Sequence, residues 1–415
     1  MRTTPRGWAL VLIAFLFYFF ANQTQVTWLY VLCAATLGVW LAARFIPRPL
    51  LRGLRLMRRL NGAETTTDLE LHAGQPLTVE VEVHNAAWWP AVQIAGEETC
   101  PLAPKAERAQ PFFIHVLAPR STLTLRYTTV CARRGWFEFP AVRLHTGAPF
   151  GLYRAQRESA LSTEVLVFPE YRELKRLPLL DRMPAHENPF PRLGRSGEFV
   201  GVREYRPGDE RRQVHWRSSA RAGRLIVKEL AEETQPGLTI ALDMRAASRV
   251  GDEPHTTLEL AIKVATTLAR YAERQGLPVH LALNSRQWPA PPGPLSGWGL
   301  MNFLARVEAE GDESFAACLS TASATPFLVA IFTAPDVEAA EAVLGAQRMG
   351  RGVLAILIDP APFTNVEYPT LPTVSGLLSA NGIDTRLIGA EPEWEQILES
   401  TSVGAESPRP KWATT

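Results

Sequence analysis

Cysteine is scarce in this chain and never paired. Cys33, Cys100, Cys131 and Cys318 are the four cysteines among 415 residues, and no two form a C-x-x-C pair. That argues against a tetrathiolate zinc site and implies no disulfide framework. The layout suits a reducing compartment. Net charge is nearly absent too, at +1. There is neither a basic field demanding nucleic acid nor an acidic one repelling it. His72, His84, His115 and His145 lack metal-ligand spacing. No G-x-G-x-x-G or Walker loop follows the first strand of the C-terminal region, so nucleotide binding has little support and no cofactor is expected.

A further absence is more informative. From Gly7 to Ala43 no side chain is charged. At about 1.5 Å per residue this stretch exceeds one crossing of a core about 30 Å thick. The polar tetrad Asn22-Gln23-Thr24-Gln25 interrupts it, which predicts two crossings, about 8–24 and 26–46. The first apolar run is short, and spans only if Gly7 and part of the tetrad extend it. Arg2 and Arg6 precede the first crossing; Arg44, Arg48, Arg52, Arg55, Arg58 and Arg59 follow the second. The positive-inside rule then puts both ends in the cytoplasm. That gives a multi-pass protein of the inner (cytoplasmic) membrane whose soluble domains face the cytoplasm. The six arginines after the second crossing are candidate contacts for anionic lipid headgroups.

Residues 1–60 are therefore read as the membrane hairpin and an Arg-rich exit. From 61 to 160 short alternating runs, such as Leu77, Val79, Val81 and Val83, predict a small β-sandwich. Trp88-Trp89-Pro90 is read as core or sheet-edge aromatics.

Residues 161–235 hold a linker and the most distinctive segment, Arg195 to Glu229. An extended run should end at a Pro207-Gly208 turn, with Asp209 capping a short helix that stops near Gly223. Leu225-Ile226-Val227 reads as a buried strand. Arginines and acids are dense here. They fit either a docking surface built on Arg–carboxylate forks or an internal clamp on the next domain. Interleaved acids argue against nucleic acid. Asp209, His215, Ser218 and Ser219 are residue types of a hydrolytic triad, but no G-x-S-x-G elbow surrounds either serine. No catalytic residue is assigned.

From 236 to 400, continuous apolar strands alternate with helices, beginning with Leu238–Leu242 and Thr257–Ala272. This implies a parallel sheet covered on both faces. Asp243 and Asp359 fall at carboxyl ends of strands, where such sheets present ligands. Residues 401–415 are expected to be a disordered tail.

The combination resembles the bacterial family called domain of unknown function 58. The residues carrying the resemblance are Gly197, Glu198, Phe199, Gly201, Arg203, Glu204, Tyr205, Pro207, Gly208, Asp209, Arg211 or Arg212, Trp216, Ser219, Ala220, Arg221, and Leu225 with Val227-Lys228-Glu229. The hairpin, the Arg-rich exit and Pro149-Phe150-Gly151-Leu152 fit as well. The resemblance implies a multidomain fold: a transmembrane α-helical hairpin, a small β-sandwich and a C-terminal α/β, Rossmann-like domain of the von Willebrand factor type A kind. It also implies two kinds of partner, a MoxR-type AAA+ ATPase and membrane proteins with transglutaminase-like domains.

One departure from the pattern matters. A Mg²⁺-binding type A domain carries D-x-S-x-S, whereas here Arg245 and Ala247 stand where the serines would be. Asp243 is thus a degenerate position, expected to pair with Arg245 and to hold no metal. The leading functional expectation is a non-enzymatic membrane scaffold or adaptor that binds proteins through the signature residues. The alternatives are a membrane-bound hydrolase using Asp209, His215 and a serine, and a sensor of anionic ligands using the arginine clusters.

Overall fold

Two apolar helices open the chain. In the computed structural model, which describes residues 2–63, 69–161, 163–181, 192–205, 214–232, 237–311, 313–323, 325–364, 366, 368–390 and 393–400, α1 runs Pro5–Thr24 and α2 runs Thr27–Ala42. Thr4 caps α1 by accepting from the Gly7 amide, and Pro5 suits the first turn, which needs no N–H. The helix absorbs Asn22, Gln23 and Thr24, so the reversal narrows to left-handed Gln25 and Val26. The short first run is thereby lengthened to 20 residues. The helical stretches Pro5–Thr24 and Thr27–Arg52, the second taking in α2 and the short helix after it, are long and apolar enough to cross a membrane. Trp8, Phe15, Phe20 and Trp28 are exposed on them, while burial on α1 falls on the small residues Gly7, Ala14 and Ala21.

The chain divides into two units, Met1–Phe168 and Pro169–Thr415. In the first, the arginine-rich exit is built into the β-domain. Residues Pro47–Arg52 form α3, and Leu54–Leu60 form a strand whose alternation buries Leu54, Leu56, Arg58 and Leu60. With β1 at Arg2–Thr3 and this strand as β2, the others are β3 (Leu71–His72), β4 (Pro76–Asn85), β5 (Ala91–Thr99), β6 (Ala109–Leu117), β7 (Thr122–Val130), β8 (Gly135–Phe139), β9 (Val142–Thr146), β10 (Tyr153–Ser159) and β11 (Thr163–Phe168). The sheets read β1-β10-β9-β5-β6, β2-β4-β7 and β3-β11-β8. The predicted inward face of β4, Leu77, Val79, Val81 and Val83, is fully buried in one core with Ile94, Phe139 and Leu144. Several short β-sheets around a shared core match the expected β-rich middle, which extends to Phe168.

Hairpin and β-domain are joined at both ends of the hairpin. At the start, β1 pairs antiparallel with Tyr153 and Arg154, and the Thr4 hydroxyl donates to Gly151 O at 2.6 Å. After the hairpin, Arg157 Nη1 donates to the carbonyls of Leu51 at 2.6 Å and Leu54 at 2.9 Å.

In the second unit, residues Pro169 onward lie on the α/β layer before the signature begins. Glu170 pairs with Lys263 at 2.6 Å and Arg172 with Glu395 at 2.6 Å. Leu177 and Leu180 enter the core. These contacts tie the stretch before the signature to the α/β layer. After the helical turn α4 (Pro178–Asp181), β12 (Arg192–Glu204) pairs antiparallel with β13 (Ile226–Glu232), with α5 (Trp216–Ala222) between them.

The parallel sheet consists of β14 (Leu238–Leu242), β17 (Val279–Leu283), β18 (Phe327–Phe332), β19 (Gly352–Ile358) and β20 (Asp384–Ile388), in the order β17-β14-β18-β19-β20. A small hairpin, β15 (Gly251–Asp252) and β16 (His255–Thr256), precedes α6 (Thr257–Arg274). The remaining helices are α7 (Gly297–Arg306), α8 (Phe315–Thr321), α9 (Val337–Arg348), α10 (Ala361–Thr364), α11 (Thr370–Ala380) and α12 (Trp394–Glu399). The strands β14, β17, β18 and β19 are almost wholly buried, because one core lies on each face, while the edge strand β20 leaves Leu387 exposed. From β14 the next strand lies on one side, and β18, β19 and β20 follow on the other, which makes the parallel pair β14 and β18 the topological switch point.

Candidate functional site

Two places concentrate polar side chains at positions the fold favours. The first is the switch point. Asp243 leaves β14 wholly buried, and a forked pair ties it to Arg245: Nε donates to Oδ1 at 2.9 Å and Nη2 to Oδ2 at 2.9 Å. Arg245 Nη2 also meets Asp336 Oδ2 at 2.8 Å. Asn284, directly after β17, donates to Asp243 Oδ1 at 3.0 Å, and Thr333, directly after β18, donates to Oδ2 at 3.1 Å. Asp336 additionally caps α9 through the Ala339 amide. The Asp243 carboxylate, hydrogen-bonded so directly, holds the Arg245 guanidinium even more firmly protonated than usual. The guanidinium side chain is 27% exposed while Asp243 is sealed beneath it.

These residues do not fit a divalent cation. Both carboxylates that would ligate it already face a permanent positive charge, and the remaining oxygens are engaged. Among the described residues no group of three or more His, Cys, Asp or Glu could hold a metal ion. The expected pairing of Asp243 with Arg245 is present. Thr333 and Asp336 join it, whereas Ser248 instead accepts from Thr257 through its carbonyl. Asp359 caps a local turn at Ala361. Asn284 was missed in the sequence. Its signal was a polar residue placed immediately after an apolar strand.

The second place is the signature hairpin. Gly197, Glu198 and Phe199 lie on β12, where the ladder shifts register around Phe199. Tyr205 follows the strand and donates its amide to Leu225 O at 3.0 Å. Pro207, Gly208, Asp209 and Arg212 lie outside the described residues. The helix starts at Trp216 and is capped by the His215 ring, whose Nδ1 accepts from the Ser218 amide at 3.2 Å. It ends at left-handed Gly223, as expected. The Ser219 hydroxyl donates to His215 O at 3.0 Å and accepts from the Ile226 amide at 2.9 Å, so backbone groups occupy it. Leu225 was expected to be buried. It is 47% exposed, because the segment pairs with β12 rather than entering the parallel sheet; Val202 and Trp216 are exposed as well. Arg203 hydrogen-bonds Glu204 O, Arg224 pairs with Glu204, and Arg221 is exposed in the last turn of α5.

The six arginines after the second crossing separate into different roles. Arg58 is buried: Nε donates to Glu98 Oε1 at 2.7 Å, Nη1 to Leu161 O at 2.9 Å, and the guanidinium lies over Phe139. A side chain held by protein on every side is not available to a headgroup. Arg59 pairs with Glu82 at 2.9 Å on the strand surface. Arg44, Arg48, Arg52 and Arg55 are exposed at or after the end of α2.

An apolar helix pair, a β-domain and a hairpin leading into a parallel α/β sheet define the class. The model of the family described as protein of unknown function DUF58 matches residues 201–313, from the end of β12 past Asp243, Arg245 and Asn284. The uncharacterized protein YeaD of Bacillus subtilis is 23% identical over 252 residues, 57% of this chain and 60% of the relative. Together these support the DUF58 family. Among solved structures, the alkylpurine DNA glycosylase AlkC of Pseudomonas fluorescens shares 9% identity over 28% of this chain and 30% of that one, at a TM-score of 0.16. The GH20 exo-β-N-acetylglucosaminidase of Vibrio harveyi shares 8% identity over 75% of this chain and 58% of that one, at 0.21. Scores so low carry no argument about fold or chemistry.

Proposed function

We propose that this protein is a membrane-anchored scaffold that presents its β-domain and α/β domain to cytoplasmic partners. In this reading the hairpin embeds in the inner membrane with both ends inside, the side that its flanking arginines favour. Arg44, Arg48, Arg52 and Arg55 then lie at headgroup level. The α/β domain is read as a von Willebrand factor type A-like module that has exchanged metal-dependent capture for a fixed cation, Arg245. The partner class implied by the family resemblance is a MoxR-type AAA+ ATPase, with transglutaminase-like membrane proteins in the same assembly.

The observation that carries this reading is the surface of the signature hairpin. Trp216, Arg217 and Arg221 are exposed on its short helix, and Val202 and Leu225 are exposed on or beside its strands. An exposed tryptophan on a helix that also carries exposed arginines has the composition of an interface. Ser219, by contrast, has its hydroxyl occupied by backbone, which favours docking over hydrolysis.

The test is affinity purification from native membranes with a non-hydrolysable nucleotide holding the ATPase in its bound state. The wild-type chain should retain an AAA+ protein, and Trp216→Ala with Arg221→Ala should lose most of it. Retention of no ATPase by the wild-type chain would overturn the proposal.

A further inference from the structure

A groove of about 690 Å³ lies on the outer face of the first sheet, beside the start of α1. Arg2, Arg6, Arg154 and His145 line it, with Phe113 at its side and no acid among the lining residues. Among the described residues Arg2, Arg6 and Arg154 make no ion pair. The acids along the same strands lie outside the groove: Glu98 is buried against Arg58, Glu158 holds Arg143 at 3.5 Å, and Glu97 does not line it.

Arg2 and Arg154 are direct partners across the β1–β10 ladder. Like charges set opposite each other on neighbouring strands destabilise the pairing unless something neutralises them. Arg6 joins them from the first turn of α1. That helix has 20 residues, which at about 1.5 Å each matches a hydrocarbon core about 30 Å thick. Its first turn, and the groove beside it, therefore fall at the headgroup layer. The exposed ring of Phe113 suits the boundary with acyl chains.

We infer that this groove holds the phosphate of an anionic phospholipid headgroup, which neutralises the Arg2–Arg154 pair and seats the β-domain on the membrane. The site rests on the membrane-anchored reading above. It is distinct from the arginines that follow α2.

Full-length protein in nanodiscs of mixed phosphatidylglycerol and phosphatidylcholine tests it, with native mass spectrometry counting retained lipid. The wild-type chain should enrich phosphatidylglycerol. Each of Arg2→Gln, Arg6→Gln and Arg154→Gln should cut that enrichment up to roughly fivefold, as about 1 kcal/mol per arginine near an anionic surface implies. A thermal scan separates binding from folding. Arg154→Gln should raise the melting temperature in phosphatidylcholine discs and lower it in phosphatidylglycerol discs. Unchanged enrichment, or the same shift in both lipids, overturns the site. Displacement of the lipid by millimolar inorganic phosphate assigns the groove to a free anion and overturns the lipid. A chain that does not enter discs overturns the anchoring reading together with the site, whereas one that enters and ignores lipid charge overturns the site alone.

Discussion

Arg58 and Arg245 each press a guanidinium against a buried carboxylate, in different units and with different consequences. Arg58 is sealed in the β-domain core, its side chain 1% exposed, with protein acceptors on all three nitrogens. Arg245 covers Asp243 at the carboxyl-end edge of the sheet and keeps one side toward solvent. A sealed pair can only organise the fold, because water, ligand and partner are all excluded. An edge pair at a switch point occupies the place where this kind of sheet presents ligands. The same chemistry is thus structural in one unit and a closed site in the other.

Breaking the sealed pair should have the largest effect. Arg58→Leu leaves Glu98 charged in the core and should destabilise the first unit by ~3–5 kcal/mol. Arg58→Leu combined with Glu98→Leu should recover most of that loss. Thermal scans of the detergent-solubilised chain read both. A single variant no worse than the double would remove the distinction drawn here.

The edge pair should be softer and should reveal a hidden preference. Arg245→Ser leaves Asp243 with its hydrogen bonds from Asn284 and Thr333, so the expected loss is ~2 kcal/mol. With the guanidinium gone, Asp243, Asp336, Thr333 and the new hydroxyl offer oxygens to a hard cation. Millimolar Mg²⁺ should then raise the melting temperature of the variant and leave the wild type unmoved. An equal response from both would mean that Arg245 does not close the site.

A smaller effect should appear with pH. Burial outweighs the Arg58 charge and pushes Glu98 above its ordinary value of 4.5. Between the unfolded and folded values the native state holds more protons, so stability is greatest below that window and falls as pH rises through it. Glu98→Gln should flatten this slope in urea titrations at successive pH values. A slope of the opposite sign in the wild type would contradict the assignment.

Much of this was legible in the sequence, and the exceptions share a cause. Uninterrupted runs such as Leu238–Leu242 and Phe327–Phe332 announced the parallel sheet, because strands covered on both faces leave no polar position to confuse them. The hairpin was equally plain. The strand Leu54–Leu60 was hidden because arginine stands at positions on both of its faces. Leu54, Leu56 and Leu60 alternate correctly, but a buried Arg58 breaks the pattern, and only its distant partner Glu98 explains it. Leu225 misled in the opposite way. Its apolar run suggests a core strand, yet β13 pairs with β12 and leaves that side chain exposed. Asp243 and Arg245 could be paired from sequence because they are two residues apart. Asn284 could not, since its neighbourhood exists only once β17 lies beside β14.

Trp216 should matter least for stability, within about 0.5 kcal/mol on change to alanine, as for most exposed positions. Its proposed role lies in binding, and there the scaffold reading can be tested most directly. A photo-crosslinking amino acid placed at position 216, and separately at the similarly exposed Trp298, would be activated in intact membranes. The expected result is a crosslink to an AAA+ protein from position 216 and none from position 298. Crosslinks of equal yield from both positions, or none from position 216, would contradict the assignment of the signature hairpin as the docking surface.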